Sequence, residues 1–400
     1  MKIIKGGVTT PEGFFAGAVS CGIKKSGRPD LALLCSEVPC AAAGTFTSNK
    51  VKSGSVVLSM ARIKKGAAQA VVVNSGNANC CVGKREILDA KVMARVAASG
   101  LGLKEDLVLT GSTGIIGRVL PIEKIKKGAP SLLKDLSRAN GHKFAKAIMT
   151  TDTVPKEIAL EINIGGKKVI LAGAVKGAGM IHPRMATMLA FFTTDAAIEK
   201  TALAAAFREA VDGSFNRISV DGDMSTNDTA VILANGLAGN KKIKKGGPDY
   251  RVFLGAVKFA AEDLAKKIVL DGEGATRFVE IVVEGAGTEA DADKVARRVA
   301  NSSLVKTMIA GGDPNWGRIG GAVGSAGVNV AQDNIDIYFG DRLVMKKGLG
   351  TNARKEELLR IFRKKEINIK VRLNSGNKSA KIWTCDLTEE YVRINAEYET

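Results

Sequence analysis

Met188–Phe192 is apolar at every one of its five positions, so a strand made from it has no face that water could wet. Such a strand has to be covered above and below, and that demands layers. Three shorter apolar runs, Leu31–Leu34, Val56–Leu58 and Ala70–Val73, are bounded by turn-forming residues and also read as strands. Glu157–Ile164 alternates apolar and polar residues, and Gly165–Gly166 turns it into Val169–Val175, a hairpin by its turn chemistry. Helical spacing is confined to other blocks. A helix is expected around Arg85–Ala98, and Leu203, Phe207 and Val211 recur at four-residue spacing behind a Thr201 cap. Phe253, Val257, Ala261, Leu264 and Ile268 trace a further amphipathic stripe. Strands Phe278–Val283, Ile335–Phe339, Ile367–Leu373 and Lys381–Cys385 follow, with a helix near Asp293–Asn301. Strands and helices arrive in blocks and do not alternate strictly, so α+β layers are expected in place of a Rossmann sheet. At 400 residues the chain is long enough for two lobes or one large layered domain.

Composition removes several function classes. Lysines and glycines interrupt every apolar run before it reaches transmembrane length, and the start, MKIIKGGVTT, lacks the apolar stretch of a signal peptide. A cytoplasmic protein with no membrane partner is expected. Cys21, Cys35, Cys40, Cys80, Cys81 and Cys385 contain no C-x-x-C pair and read as reduced thiols. His142 and His182 are the only histidines, which excludes a multi-histidine metal site and leaves a Ser–His–Asp triad little to draw on. The net charge of +18 makes nucleic-acid binding the rival reading. Against it, the lysines come as dispersed doublets, only Lys241–Lys245 is dense, and no aromatic residues interleave with that stretch as a base-stacking platform would need.

The densest chemical signal is Lys176-Gly-Ala-Gly-Met-Ile-His-Pro-Arg-Met-Ala-Thr187, a strand feeding glycines and then a threonine that opens the next buried strand. A β-branched hydroxyl at the head of a rigid strand is a well-held nucleophile, although a threonine there can equally be structural. A second segment, Gly111-Ser-Thr113-Gly114-Ile-Ile-Gly117, follows the expected strand Leu107–Thr110. Amides in such a loop could hold an oxyanion, or the loop could be a plain strand-to-helix turn. No GK[ST] phosphate loop occurs.

These segments resemble, in order, those of the ornithine acetyltransferase family, the bifunctional glutamate N-acetyltransferases of arginine biosynthesis. Val73–Asn79, Ser112–Gly117, Ile148–Thr153, Ser219–Asp228, Gly312–Arg318 and Tyr391–Thr400 match beside the Thr187 segment, so the likeness spans essentially the whole chain. Four positions depart from the family pattern: Ala178, Arg184, Cys80 and Cys81.

The resemblance implies an αββα sandwich with a smaller α+β lobe, assembled from two chains, 1–186 and 187–400, that arise by autocleavage between Ala186 and Thr187. It implies that Thr187 carries acetyl from N-acetylornithine to glutamate by a ping-pong route, its new α-amino group acting as base. Thr113 and Gly114 match the family's oxyanion pair. Substrate contacts carry over to Thr150 (or another threonine of Thr150–Thr153), Lys176, Thr187, Glu273, Asn395 and Thr400. No cofactor or metal is expected, acetyl-CoA is a possible co-substrate, and the cleaved chains are expected to form a heterotetramer of two α and two β chains. The nearest rival is a related self-processing N-terminal-nucleophile aminopeptidase or amidohydrolase. For Arg318 a structural ion pair is expected.

Overall fold

The structure, a computed structural model, describes residues 1–182 and 188–397. Its strands form two sheets, of nine and seven strands among the described residues. The larger runs in the order Lys2–Ile4, Lys156–Ile164, Lys167–Lys176, Leu189–Thr194, Thr229–Ala234, Leu31–Phe46, Ala67–Asn77 and Val108–Ile115, with Phe14–Val19 on the free side of Leu31–Phe46. Leu31–Phe46 makes this one ladder fold over itself. Its first half pairs with Phe14–Val19, its second half with Thr229–Ala234, and its register against Ala67–Asn77 slips between Cys35 and Cys40.

The folding-over explains why the strands are apolar at every position. Along Leu189–Thr194, Ala190 and Phe192 pack toward helices Lys200–Asp212 and Pro248–Leu270, while Leu189 and Phe191 point into a core shared with the other wing. Across that core, Val71 and Val73 meet them, and the alternate residues Ala70 and Val72 turn outward against helices Arg85–Leu101 and Ile122–Lys134. The order is therefore helices, sheet, sheet, helices, the expected αββα sandwich. Phe192 meets Phe207 edge-on at 5.5 Å, and Phe191 meets Phe144 in the same way, also at 5.5 Å. Truncating either strand residue to alanine would cost about 3–5 kcal/mol.

The second lobe carries the seven-stranded sheet under helices Glu289–Ala300, Ser303–Ala310, Trp316–Gly324 and Lys355–Phe362. Its last strand, Ile218–Ser219, precedes the sandwich strand Thr229–Ala234 in the chain and stitches the lobes together. The expected hairpin is present, with Gly165 and Gly166 at φ +55° and +82°, the positive pair a type I′ turn needs.

Three local expectations are corrected. Val56–Leu58 lies inside helix Gly54–Ile63, whose N-cap Ser53 accepts from Val56 N–H; three apolar residues cannot distinguish the two periods. Helix Lys200–Asp212 has Glu199 at its N-cap position, leaving Thr201 within its first turn. The segment read as a loop after Thr110 continues the strand to Ile115, because Ser112, Thr113 and Gly114 pair with Asn74, Ser75 and Gly76.

Candidate active site

Several strand ends meet at one edge of the sandwich. Val108–Ile115 lies beside Ala67–Asn77 at the border of its wing, so Thr113 and Gly114 sit at the rim of a sheet with one neighbour. Gly114 has φ +129°, and a Cβ there would fall 2.3 Å from the Gly76 carbonyl carbon, so no other residue fits. Ser112 Oγ donates to Asn74 Oδ1 (2.6 Å), and Asn227 Nδ2 donates to the carbonyls of Ala78 (2.6 Å) and Ser112 (2.8 Å). These bonds hold the Thr113–Gly114 backbone in one position before any substrate arrives.

Lys176 ends strand Lys167–Lys176 in the opposite wing, yet its Nζ reaches Thr113 Oγ1 at 3.3 Å. Behind it stands Asp152, buried, 4.0 Å from Nζ. Asp152 Oδ1 accepts from Gly177 N–H (2.6 Å) and Lys156 Nζ (2.7 Å), and Oδ2 accepts from Thr150 N–H (3.0 Å). Burial alone would raise the Asp152 carboxyl, but Lys176 and Lys156 outweigh it and hold its pKa at about 2. Lys176 shows the reverse balance. Burial lowers its pKa and the neighbouring Lys156 charge lowers it further, only partly offset by Asp152 and Glu273. Within Thr150–Thr153, Thr150 is buried beside this cluster, while Thr153 turns outward to Asp271.

Glu273 follows helix Pro248–Leu270, and its N–H donates to the Ala178 carbonyl at 3.0 Å. Asn395, on the closing helix Glu389–Ala396, donates Nδ2–H to Glu273 Oε2 at 2.8 Å. The C-terminal helix is thereby tied to the site from 122 residues away. Of the residues the sequence singled out, the structure brings together Thr113, Gly114, Thr150, Lys176, Glu273 and Asn395. Ala186, Thr187 and Thr400, together with Arg184, lie outside the described residues.

The sequence reading assigned no role to Asp152, Lys156, Asn227 or Asp228. All four are buried, and three of them stand inside segments already singled out. A buried charged residue inside such a segment is the signal that was available. Among the described residues Arg318 makes no ion pair, in place of the one expected: it donates to the Leu304 carbonyl (2.9 Å) and Thr307 Oγ1 (3.3 Å). The arrangement offers a fixed amide and hydroxyl rim, one buried cation beside it, and an acid–amide pair facing that cation. Together these suit a small substrate that carries a carboxylate and an ammonium group.

Residues 15–400 match the ArgJ family. The chain is 47% identical over 402 aligned positions to the arginine biosynthesis bifunctional protein ArgJ of Symbiobacterium thermophilum, with 100% of each chain covered. It is 49% identical over 398 positions to the protein of the same name from Dehalococcoides mccartyi, covering 99% of this chain and 98% of that one. A solved chain of the ArgJ protein of Bacillus halodurans matches at 45% identity with a TM-score of 0.50, covering 52% of this chain and 98% of its own.

Proposed function

The chain belongs to the ArgJ family, acetyltransferases of arginine biosynthesis, and from that premise we propose that it cleaves itself at Ala186–Thr187 and transfers acetyl through Thr187. In the first half-reaction the Thr187 hydroxyl attacks the acetyl carbonyl of N-acetylornithine, and ornithine leaves. In the second, the amine of glutamate attacks the Thr187 ester and departs as N-acetylglutamate. The free α-amino group of Thr187 takes and returns the proton; an α-amine titrates near pH 8, which suits a base at neutral pH. An oxygen ester carries the acetyl group, so the route uses no cofactor or metal.

The observation that carries this reading is the 3.3 Å approach of Lys176 Nζ to Thr113 Oγ1, at the rim beside which the strand after Thr187 begins. Thr113 and Gly114 stabilise the oxyanion, and Lys176 meets the α-carboxylate common to both substrates. Glu273, held by Asn395, receives the ornithine side-chain ammonium. Thr150 and Thr400 complete the contacts. The word bifunctional in the relatives' names supports a second activity, glutamate acetylation from acetyl-CoA. No helix among the described residues is long and apolar enough to cross a membrane, and we place the enzyme in the cytoplasm as a heterotetramer of two α and two β chains.

The test is direct. Purified protein is expected as two associated fragments, one beginning at Thr187, that move acetyl from N-acetylornithine to glutamate. Thr187→Ala is expected as one inactive chain of 42.0 kDa. A Thr187→Ala protein that is still cut and still active would end this reading.

A further inference from the structure

Asp228 stands at the foot of strand Thr229–Ala234, which runs parallel to Leu189–Thr194 with Thr229 opposite Leu189. It grips the residue that follows Thr187. Met188 N–H donates to Asp228 Oδ1 at 3.1 Å, and Thr229 N–H donates to the Met188 carbonyl at 3.1 Å. The Asp228 side chain is fully buried, and its second oxygen, Oδ2, has no hydrogen-bond partner among the described residues. A buried acid oxygen left unfilled is rare and calls for a physical reason.

The other acids around the site are committed. Asp152 is ringed by donors and held ionised, Glu273 is bound by Asn395, and Asp221 takes the N–H groups of Met180 (2.6 Å) and Ile181 (2.9 Å). Around Asp228, Thr47 Oγ1 donates to the Ser225 carbonyl at 2.7 Å, and Ser225 Oγ accepts from Asn227 N–H at 3.0 Å. Those two hydroxyls and Lys176 favour its charged form, yet burial dominates and pushes the carboxyl well above the usual range. Asp228 is therefore suited to carry a proton where Asp152 is not.

Covalent geometry supplies the reach. Met188 N is bonded to the Thr187 carbonyl carbon, so in the chain it is one residue from the Thr187 nitrogen. The carboxyl that holds Met188 N–H thus grips the chain one residue beyond the bond that self-cleavage has to break. Resting on the reading that Thr187 is the processing residue, we propose that Asp228 is the proton carrier of self-cleavage. The Thr187 oxygen bonds to the Ala186 carbonyl carbon, and the bond from that carbon to the Thr187 nitrogen breaks. Asp228 Oδ2–H gives its proton to the departing nitrogen, and the carboxylate left behind takes the proton shed by the Thr187 hydroxyl. The net change moves the acyl group from nitrogen to oxygen and one proton from oxygen to nitrogen. Water then hydrolyses the ester, leaving the Ala186 carboxylate, the Thr187 hydroxyl and the α-amine.

The full-length chain carrying Asp228→Asn tests this. Asparagine keeps an oxygen for Met188 N–H and nearly the same volume, and it has no transferable proton. The expected product is a folded chain with a Tm within a few degrees of Thr187→Ala, cleaved on the order of 100-fold more slowly than wild type, followed by mass spectrometry after pulsed cell-free synthesis. Hydroxylamine, which cuts esters and spares amides, is expected to leave it intact because the ester does not form. Cleavage at the wild-type rate, or rapid cutting by hydroxylamine, overturns the proposal, since a purely structural Asp228 is replaced well by asparagine. Should that chain not fold, Asp228→Ser removes the acid without adding volume and is read out in the same way. The two readings fail separately. Wild-type protein left uncut at Ala186–Thr187 sinks the function proposed above, whereas a wild type cut there beside an equally fast Asp228→Asn chain sinks only the role of Asp228.

Discussion

Replacing Lys176 by methionine isolates the one cation among the described residues that touches the Thr113 rim. Its ammonium is buried, 3.3 Å from Thr113 Oγ1 and 4.0 Å from Asp152. Methionine preserves most of the stem and removes the charge. Asp152 keeps Lys156 at 2.7 Å and the N–H groups of Gly177 and Thr150, so its carboxylate is not stranded. Burial already disfavours the charged lysine, which offsets part of what is lost. The expected stability change is within about 1 kcal/mol, small beside the several kcal/mol of an unpaired buried charge. The expected catalytic change is larger. A charge-assisted hydrogen bond to a carboxylate is worth about 1.5–3 kcal/mol, or roughly 10- to 150-fold in kcat/KM. Both substrates carry an α-carboxylate, so the loss should appear for N-acetylornithine and for glutamate alike. Steady-state transfer assays on the cleaved variant, with thermal melts alongside, give both quantities. Neutralising the exposed Lys241, Lys242, Lys244 and Lys245 together is the control and should change kcat/KM less than twofold. A folded, cleaved Lys176→Met enzyme within threefold of wild type for both substrates would refute the assignment.

Thr113→Val removes the hydroxyl that Lys176 meets and should lower kcat more than it raises KM, by up to about 3–4 kcal/mol of transition-state stabilisation; an unchanged kcat would leave the oxyanion to backbone amides alone. Asp152 titrates at about 2 in the fold against an ordinary 3.8, so the stability it confers is present above pH 4 and is lost as pH falls toward 2. The stability gap between wild type and Asp152→Asn, from urea melts, should therefore shrink across that window, and a constant gap would count against the ion pairs. Cys81 is the exposed cysteine, while burial pushes Cys35 and Cys40 up to about 12, so a thiol reagent should modify one site quickly and these two only on unfolding.

The apolar run Met188–Phe192 and the Gly165–Gly166 turn determined, without any structure, that the chain holds a strand covered on both faces and a hairpin, and so α+β layers. Period and turn chemistry are local properties, carried by neighbouring residues, and layering follows from them, whereas the αββα order was implied by the family resemblance alone. The contiguous strings at 112–117 and 148–153 and the position of Lys176 likewise marked segments that the fold brings to one edge of the sandwich. Failures came where local signals were short or ambiguous: three apolar residues at Val56–Leu58 suit either period, and glycine-rich 111–115 reads as a turn until a parallel neighbour pairs with it. What only the tertiary structure decided are the meetings between distant segments. Lys176 and Thr113 belong to strands in opposite wings, and they touch because Leu31–Phe46 folds the sheet over itself. Asp152 gathers Lys156, Gly177 and Thr150, and Asp228 lies against Met188 across a parallel register that pairs residues 40 apart. Such partners are set by which strands become neighbours and in what register. That is fixed by packing of the whole core, a quantity that no stretch of sequence carries by itself.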